Sequence, residues 1–404
     1  MPPPSRRPRA LVIGGSLAGL CAANLLLRQG WDVEVFEQSA EKLEGRGAGI
    51  ITHPGLFDVI RAVGIPVDET IGVAIEGRIV IDRSGALIGR LSLPQVVSTW
   101  GRLYVPLKAA FPAERYHLGY ALERVSHTAG GIAAHFANDD SARGDLLIGA
   151  DGLRSAVRGC LLPEAQPVYA GYVAWRGLVD ENALSAATHR DLIPQLGFCL
   201  PPREHMTGYP VAGFTHSTRA GERCYNFVWY RAADEARELP RLCTDARDRV
   251  HDKAIPPPLI RAEVVSDMRR AAADLLSPQY AEVVNKTRQP FFQAIFDLES
   301  PRIAFDRVAL IGDAAFVARP HCGMGTTKAA CDAMCLAQVL RDANDDVPVA
   351  LAHYQAGRAR YGAGVVAHGR ELGAHLQGID TPEATHHHTP EAVMRKIAIT
   401  RDYP

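Results

Sequence analysis

The glycine turn near the N-terminus constrains this chain most. Residues 10–14 form a short apolar run that ends in Gly14-Gly15-Ser16-Leu17-Ala18-Gly19, and a second apolar run follows at residues 32–37. The stretch between them, residues 17–29, is apolar-rich and predicts a helix. A strand, a glycine turn, a helix and a second strand in this order begin a parallel α/β sheet. The turn places backbone amides at a helix N-terminus, where an anionic group such as a pyrophosphate can bind.

The turn follows the nucleotide-binding pattern GxGxxG, with Ser16 in the place of the second glycine. Gly14 permits the tight turn, and Gly19 lets the helix pack close to the strand. Glu37 ends the second run 23 positions after Gly14, close to the spacing of a carboxylate that binds a ribose. The next residue, Gln38, is not basic, which disfavours a 2′-phosphate. These residues suit FAD and NAD equally, and a solvated strand end is the alternative interpretation of Glu37.

Two motifs further along the chain favour a flavin. A short apolar strand over residues 145–150 ends in Asp151-Gly152, and another over 307–311 ends in Gly312-Asp313. The second is followed by glycines and by a helix predicted from about residue 326. An aspartate in this position can accept hydrogen bonds from ribityl hydroxyls, and the helix N-terminus can stabilise negative charge on a reduced flavin. Each motif alone fits an ordinary loop, but their order along the chain argues for one flavin site.

Together these segments resemble the single-component flavoprotein aromatic hydroxylases, the family of p-hydroxybenzoate and salicylate hydroxylases. Within it they are most similar to the branch that hydroxylates hydroxypyridines. The segments that carry this resemblance are residues 14–16, 114–117, 169–177, 226–230 and 312–321. The resemblance implies an α/β fold with a Rossmann-like FAD-binding domain of the p-hydroxybenzoate hydroxylase type. A β-sheet substrate domain and C-terminal helices complete the expected fold.

The domain boundaries are predicted from the change between α/β and alternating β patterns. We expect an FAD-binding domain in three parts, a substrate domain in two parts, and a helical end with a tail. The FAD-binding parts are residues 1–71, 99–165 and 291–345. The substrate-domain parts are residues 72–98 and 166–290, and the C-terminal helices and tail are residues 346–404.

The resemblance also implies which residues hold FAD. Two positions depart from the family: Tyr104 stands where an FAD-contacting arginine is usual, with Arg102 nearby, and Thr327 stands where asparagine is frequent. No attachment site is evident apart from Cys322, so FAD is expected to bind non-covalently. The expected FAD residues are Gly14, Ser16, Leu17, Gly19, Glu37, Gln38, Gly49, Arg102, Asp151, Gly312, Asp313, Gly323, Gly325, Thr326 and Thr327.

The activity implied by the resemblance is hydroxylation of an electron-rich ring with O2 and NADH or NADPH. A flavin C4a-hydroperoxide would deliver electrophilic oxygen, so a base near a ring hydroxyl would help. The catalytic candidates are His321, Pro320, His53 and Tyr209, and the pocket candidates are Tyr209, Phe214, Trp229, Trp175, His321 and Cys322. A loop histidine and sheet-core aromatics are the alternatives, and Arg176 is expected to order the domain interface. An FAD- and NAD(P)H-dependent oxidoreductase that inserts no oxygen, or a nucleotide-binding sensor, stays open.

Composition excludes several other classes. A net charge of −1 gives no electrostatic reason to expect nucleic acid, and no apolar run is long enough to predict a membrane span. The basic N-terminus lacks a signal-peptide core, and eight scattered cysteines are typical of reduced thiols, so a cytoplasmic enzyme is expected. Cys331 with Cys335, and the run His386-His387-His388, are interpreted as helix and loop residues, so no metal is expected. A homodimer is one option for the assembly.

Overall fold

The computed structural model describes residues 6–43, 49–377 and 388–399. These residues form three β-sheets and a set of helices that cover them. The strands are β1 (Arg9–Ile13), β2 (Asp32–Glu37), β3 (Gly49–Ile51), β4 (Val73–Ile81), β5 (Leu87–Thr99), β6 (Tyr116–Leu118), β7 (Leu122–Thr128), β8 (Gly131–Phe136), β9 (Ser141–Gly144), β10 (Leu146–Gly149), β11 (Val168–Asp180), β12 (Gln195–Cys199), β13 (His205–Val211), β14 (Cys224–Ala232), β15 (Phe291–Glu299), β16 (Ala304–Phe305), β17 (Val308–Leu310) and β18 (Phe316–Val317).

The helices fall between the strands and at the C-terminal end of the chain. None of the described helices has the length and apolar character that crossing a bilayer requires. The helices are α1 (Leu17–Arg28), α2 (Pro54–Val63), α3 (Trp100–Ala109), α4 (Ala156–Leu161), α5 (Ala186–Leu192), α6 (Glu238–Leu242), α7 (Ala262–Leu275), α8 (Pro278–Lys286), α9 (Gly325–Asp342), α10 (Val347–Gly373) and α11 (Pro390–Lys396).

The first sheet has six strands in the order β16-β17-β10-β1-β2-β6. Its central strand, β1, pairs in parallel with both β2 and β10, and β10 pairs in parallel with β17. The strands are buried and apolar because α1, α2, α9 and α10 share one core with them. The predicted strand–helix–strand unit is thus confirmed, and both later aspartate motifs follow neighbouring strands of this sheet.

The second sheet has nine strands in the order β18-β15-β11-β14-β13-β12-β4-β5-β3. Its middle strands are antiparallel, and one face packs against α7 and α8. Tyr225, Phe227 and Trp229 all lie on this helix-covered face, as their alternation predicts. The predicted segments 72–98 and 166–290 lie in this layer, but β3, β15 and β18 also join the sheet from outside those boundaries.

The sequence pattern of residues 258–300 predicts mainly helix, and this segment is the clearest difference between the predicted and the observed secondary structure. The helical pattern holds through α7 and α8, but residues 291–299 form strand β15. The sequence Phe-Phe-Gln-Ala-Ile-Phe-Asp-Leu-Glu buries residues on both faces of its sheet, so it has no clean period to separate it from a helix. A small sheet of β7, β8 and β9 and the last helix, α11, were not predicted either.

Candidate active site

Two cavities lie where the glycine turn and the Gly312-Asp313 motif meet the rest of the fold. The glycine-turn cavity has a volume of about 300 Å³. The sheet-face cavity, of about 260 Å³, lies between the nine-stranded sheet and the loop that leads into α9. The glycine-turn cavity is lined by Ile13, Gly14, Ser16, Phe36, Glu37, Gln38, Leu43, Trp100, Tyr120, Leu122, Ala150, Asp151, Gly152, Arg154 and Ala156. The sheet-face cavity is lined by Gly49, Ile50, Ile51, Arg176, Leu196, His205, Thr207, Tyr209, Val228, Tyr230, Asp313, Ala318, Pro320, His321, Gly323, Gly325, Thr326, Ile397 and Ala398.

The glycine turn has the geometry that a bound pyrophosphate requires. Gly14 has a φ of +102°, and a Cβ there would overlap the Ala150 carbonyl, so only glycine fits. A Cβ on Gly15 would overlap the Tyr116 side chain, whose hydroxyl donates to the Gly15 carbonyl at 2.9 Å. Ser16 is the N-cap of α1 but makes no side-chain capping bond. The first amides of α1 therefore keep hydrogen-bonding capacity for an anionic ligand.

The two carboxylates of this cavity are held by backbone amides. Glu37 is buried at the end of β2 and accepts from the amides of Gly15 and Ser39, both at 2.9 Å. Asp151 accepts from the Ser155 hydroxyl and from the Val157 amide at the start of α4. Burial raises the pKa of Asp151, while these hydrogen bonds oppose the rise. Both carboxylates therefore line the cavity and are held in place by two hydrogen bonds each from within the chain.

Aromatic side chains of this cavity were not identified from the sequence. Trp100 and Tyr120 line it, and Trp100 stacks on Tyr104 with the ring centres 4.2 Å apart. Tyr104 is buried at the place where the family has an arginine. Arg102 lines neither cavity, and its charge instead contributes to lowering the pKa of Asp68. The expected contact between Arg102 and FAD thus finds no support in this geometry.

The Gly312-Asp313 turn is held from behind by a buried charge network. Lys328 donates to the Gly312 carbonyl at 2.7 Å, and Asp332 accepts from the Gly312 amide at 3.0 Å. Gly312 has a φ of +60°, which favours glycine. The Asp313 side chain lines the sheet-face cavity. Desolvation by the surrounding residues raises the pKa of this carboxyl, and the positive charge of Lys328 partly opposes the rise. This network fixes the turn so that the Asp313 carboxylate can face a ligand. Neither Lys328 nor Asp332 belongs to a motif that the sequence analysis identified.

Replacement of Asp313 by alanine is expected to weaken FAD binding by roughly ten- to hundredfold. The change removes one or two hydrogen bonds to the ribityl chain and leaves its hydroxyls unpaired, which costs about 1–3 kcal/mol. A fluorescence titration of the apoprotein with FAD measures the change. Asp342→Ala, at the exposed end of α9, is the control. Unchanged affinity in Asp313→Ala would remove Asp313 from the site.

The start of α9 faces the same cavity. Gly325 is its first residue, and the N-cap Met324 has no side chain that can cap the helix. Gly323, with a φ of +65°, turns the chain into the helix, and Gly325 and Thr326 line the cavity. An uncapped N-terminus here suits the electron-rich edge of a flavin. Thr327 does not line the cavity, because its hydroxyl is 3.1 Å from His53 Nδ1.

His53 is placed away from the reacting region. Its ring is buried, with Nδ1 next to Thr327 and Nε2 3.4 Å from the Ala398 carbonyl. It lines neither cavity, so the interpretation as a catalytic base is not supported, and the ring joins α2, α9 and the C-terminal segment instead. Burial lowers its pKa to about 4.

This shift predicts a pH-dependent stability. Above pH 6.5, His53 is neutral in the folded and unfolded states, so it contributes no slope. Between pH 6.5 and 4 the unfolded chain binds a proton that the folded chain does not, and the free energy of unfolding falls. Chemical unfolding of the wild type and of His53→Gln at several pH values tests this. The wild type should lose about 3 kcal/mol relative to the variant over this range; parallel profiles would show that His53 does not titrate in this way.

The sheet-face cavity brings together three of the four predicted catalytic residues. Pro320, His321 and Tyr209 all line it, and Gly49 is packed so closely that a Cβ would contact the Tyr209 ring. His321 is 1% exposed, and its Nε2 is 3.0 Å from the Tyr172 hydroxyl. Burial lowers the pKa of His321 well below its ordinary value, with His375 and Arg319 adding to the effect. Burial raises the pKa of Tyr209 to about 12, so its hydroxyl stays protonated.

Four predicted pocket residues, Phe214, Trp229, Trp175 and Cys322, do not line the sheet-face cavity. Phe214 is 67% exposed in the turn after β13. Trp229 packs on the helix-covered face with Trp175, because its neighbours Val228 and Tyr230 are the residues that face the cavity. Cys322 is buried outside the cavity lining, with its thiol 3.1 Å from the Arg319 carbonyl.

The position of Cys322 supports a prediction about the cofactor. Burial raises its pKa to about 11, so the thiol is a poor nucleophile. In addition, Cys322 does not line the cavity. FAD is therefore expected to be bound tightly but non-covalently. Acid precipitation of the purified protein should release the yellow colour into the supernatant. Colour that stays in the pellet would contradict this.

Arg176 was expected at a domain interface but lines the sheet-face cavity. It lies on β11 opposite Val228, and its Nε is buried with no hydrogen-bond partner among the described residues. No carboxylate of the described residues forms an ion pair with its guanidinium. The arginine lowers the pKa of Tyr209 and Tyr230, against the larger effect of burial. This arrangement places a positive charge beside two phenol hydroxyls and a neutral imidazole.

The C-terminal segment closes one side of the cavity, which the sequence did not indicate. Ile397 and Ala398 line it, and the Ala398 amide donates to the His321 carbonyl at 2.9 Å. Buried Arg78 donates to the carbonyls of Met394, Ile397 and Ala398. A residue of β4 thus fixes the end of the chain against the cavity.

The comparisons with known proteins agree with this geometry. Profiles described as FAD binding domain and FAD binding domain-like match residues 7–71 and 169–297. The 2,6-dihydroxypyridine 3-monooxygenase of Paenarthrobacter nicotinovorans is 30% identical over 91% of both chains. The 3-amino-4-hydroxybenzoate 2-monooxygenase of Streptomyces cremeus is 30% identical over 93% of this chain and 90% of its own. The structure of 2,6-dihydroxypyridine-3-hydroxylase from Arthrobacter nicotinovorans has a TM-score of 0.86 at 28% identity, over 94% of this chain and 96% of that one.

Proposed function

Because the chain belongs to the FAD-dependent aromatic-ring monooxygenases, we propose that it hydroxylates an electron-rich, hydroxypyridine-like ring with O2 and NADH or NADPH. The same likeness confirms the predicted fold class and FAD as the cofactor. The observation that carries the substrate proposal is the convergence of Arg176, Tyr209 and His321 in the sheet-face cavity, beside Asp313 and the start of α9.

FAD would lie along both cavities. Its adenosine diphosphate part fits the glycine turn and Glu37, and its ribityl chain fits Asp313. Gly325 and Thr326 at the start of α9 suit the flavin ring. When bound, FAD would supply the redox chemistry, by which reducing equivalents from the nicotinamide are used to activate O2.

The chain's own residues would prepare the ring. Oxygen delivered as an electrophile needs an electron-rich ring, and a ring hydroxyl becomes more electron-donating as its proton is withdrawn. Burial keeps His321 neutral, so it can accept a hydrogen bond from that hydroxyl. Arg176 lines the same cavity and would stabilise the negative charge that develops on the ring oxygen.

Tyr209 and Tyr172 have different parts in this proposal. Tyr209 keeps its proton and can donate a hydrogen bond to a ring oxygen or nitrogen. Tyr172 is fully buried behind His321 and fixes the imidazole through its hydroxyl. Tyr172 is therefore a positioning residue, whereas His321, Tyr209 and Arg176 would contact the substrate.

A substrate screen tests the proposal. The FAD-loaded protein is mixed with NADH or NADPH and with hydroxypyridines, aminohydroxybenzoates or simple phenols, and the non-hydroxylated parent rings are controls. Hydroxypyridines should stimulate NAD(P)H oxidation most, and the parent rings should not. Equal oxidation with and without every ring would favour a flavin oxidoreductase that inserts no oxygen. No oxidation in a protein that binds FAD would favour a nucleotide-binding sensor.

A further inference from the structure

The structure brings three histidines together that are far apart in the sequence. His205 begins β13, His375 follows the end of α10, and His388 lies just before α11. One ring nitrogen from each lies within 4.8 Å of those of the other two. The rings of His375 and His388 are stacked, with centres 3.9 Å apart. The other histidines of the run, His386 and His387, lie outside the described residues.

His205 gives the second, independent observation. Its side chain is 0% exposed, and neither ring nitrogen has a hydrogen-bond partner among the residues that the structure describes. A buried polar group left without a partner costs about 1–3 kcal/mol, and most such groups in native proteins are satisfied. Its neighbours are other rings, including Phe198, Tyr230 and His321, none of which bonds to it. The histidine cluster thus contains a buried imidazole whose hydrogen-bonding capacity is not satisfied by the described residues.

His388 has the hydrogen bond that metal-binding histidines usually have. Its Nε2 lies 3.4 Å from the Pro201 carbonyl, which orients the ring, and within the described ranges its buried Nδ1 has no partner. A ring nitrogen that donates to a backbone carbonyl leaves the other nitrogen as a ligand. The centre of the His388 ring is also 6.1 Å from that of the His205 ring.

We propose that His205, His375 and His388 form a binding site for a divalent transition metal ion of the Zn²⁺ class. Three neutral imidazoles suit Zn²⁺, Co²⁺, Ni²⁺ or Cu²⁺, whereas Mg²⁺ and Ca²⁺ prefer oxygen ligands. Metal–nitrogen distances of about 2.0–2.1 Å require the three nitrogens to approach each other somewhat more closely than they do here. A bound ion would therefore draw the three rings closer together.

The site would link the C-terminal segment to the substrate region. His205 itself lines the sheet-face cavity, and the segment after His388 supplies Ile397 and Ala398 to the cavity wall. A metal ion on the three histidines would therefore fix that wall to β13 and to the end of α10. The ion takes no part in the proposed hydroxylation, and the inference holds whichever ring is the substrate.

Zn²⁺ titration of the untagged, FAD-loaded protein against a chromophoric chelator tests the site. The wild type should bind one Zn²⁺ per chain. Each of His205→Gln, His375→Ala and His388→Ala should weaken binding by at least about 100-fold, since even outer-shell changes cost 10- to 100-fold. His353→Ala, at an exposed position on α10, is the matched control and should bind as the wild type does. FAD content and circular dichroism verify that each variant is folded.

Two outcomes would overturn the proposal. If His205→Gln and His375→Ala bind Zn²⁺ like the wild type and only His388→Ala does not, the run 386–388 binds the ion by itself. Replacing Zn²⁺ by Co²⁺ gives a test that needs no variant. The wild type should show the intense visible absorption of four-coordinate Co²⁺. If only the weak bands of six-coordinate Co²⁺ appear, the three histidines do not form the proposed site.

Discussion

Replacement of His321 by alanine is expected to slow ring hydroxylation by about 10²–10⁴-fold while FAD binding and NAD(P)H oxidation persist. His321 is buried in the sheet-face cavity, and it is the imidazole that would withdraw the proton from a ring hydroxyl. Without it the ring is less electron-rich, and activated oxygen should decay to H2O2 more often than it reaches the ring. Reduction of FAD by the nicotinamide does not involve this step, so it should be nearly unchanged.

The quantity to measure is coupling, which is hydroxylated product formed per NAD(P)H consumed. Coupling should fall sharply in His321→Ala and less in Tyr172→Phe, because that variant removes only the hydroxyl that positions the imidazole. His353→Ala, at an exposed position on α10, is the control for loss of a histidine. Coupling equal to that of the wild type in His321→Ala would show that the residue is a structural loop histidine.

Replacement of Arg176 by methionine is expected to weaken binding of an ionised hydroxypyridine by roughly 30- to 4000-fold. The arginine lies in the cavity wall with a buried Nε that has no partner in the described part of the chain. Truncating one member of a buried charge pair costs about 2–5 kcal/mol, and each 1.4 kcal/mol is tenfold in affinity. Methionine keeps the length of the side chain but removes the charge.

The dissociation constant can be followed through the change that a bound ring causes in the flavin absorption spectrum. Arg231→Met is the matched control, because Arg231 is on the neighbouring strand β14 but is paired with Glu204 and stacks on Trp229. The loss in Arg176→Met should be large for an ionised ring and small for a neutral analogue. Equal losses for both rings would mean that Arg176 acts on the shape of the cavity and not through its charge.

The sequence predicted the nucleotide half of the site better than the substrate half. Gly14, Glu37 and Asp313 follow strands of one sheet and lie in short motifs whose spacing reflects local backbone geometry. Their places in the two cavities could therefore be expected. The roles of Lys328 and Asp332, which hold the Gly312-Asp313 turn, could not be expected. Both lie on α9, separated from Gly312 by the intervening loop, and no motif marks them.

The substrate half depends on which face of a strand meets the cavity. Alternation shows that Trp229 and Tyr230 lie on opposite faces of β14, but it does not say which face the helices cover. For the same reason, the sequence does not show that Arg176 lines the sheet-face cavity. The approach of His205, His375 and His388, and the Arg78 contacts of the C-terminal segment, arise from tertiary packing across long sequence separations.

Incorporation of oxygen from ¹⁸O2 into the product tests the central claim most directly. The FAD-loaded protein, NAD(P)H and the ring that most stimulates NAD(P)H oxidation are incubated under ¹⁸O2, and the product is analysed by mass spectrometry. We expect a hydroxylated ring that carries one ¹⁸O atom in the new hydroxyl, and no label in this position from H2¹⁸O. An unlabelled hydroxyl, or NAD(P)H oxidation that yields only H2O2 with every stimulating ring, would contradict it.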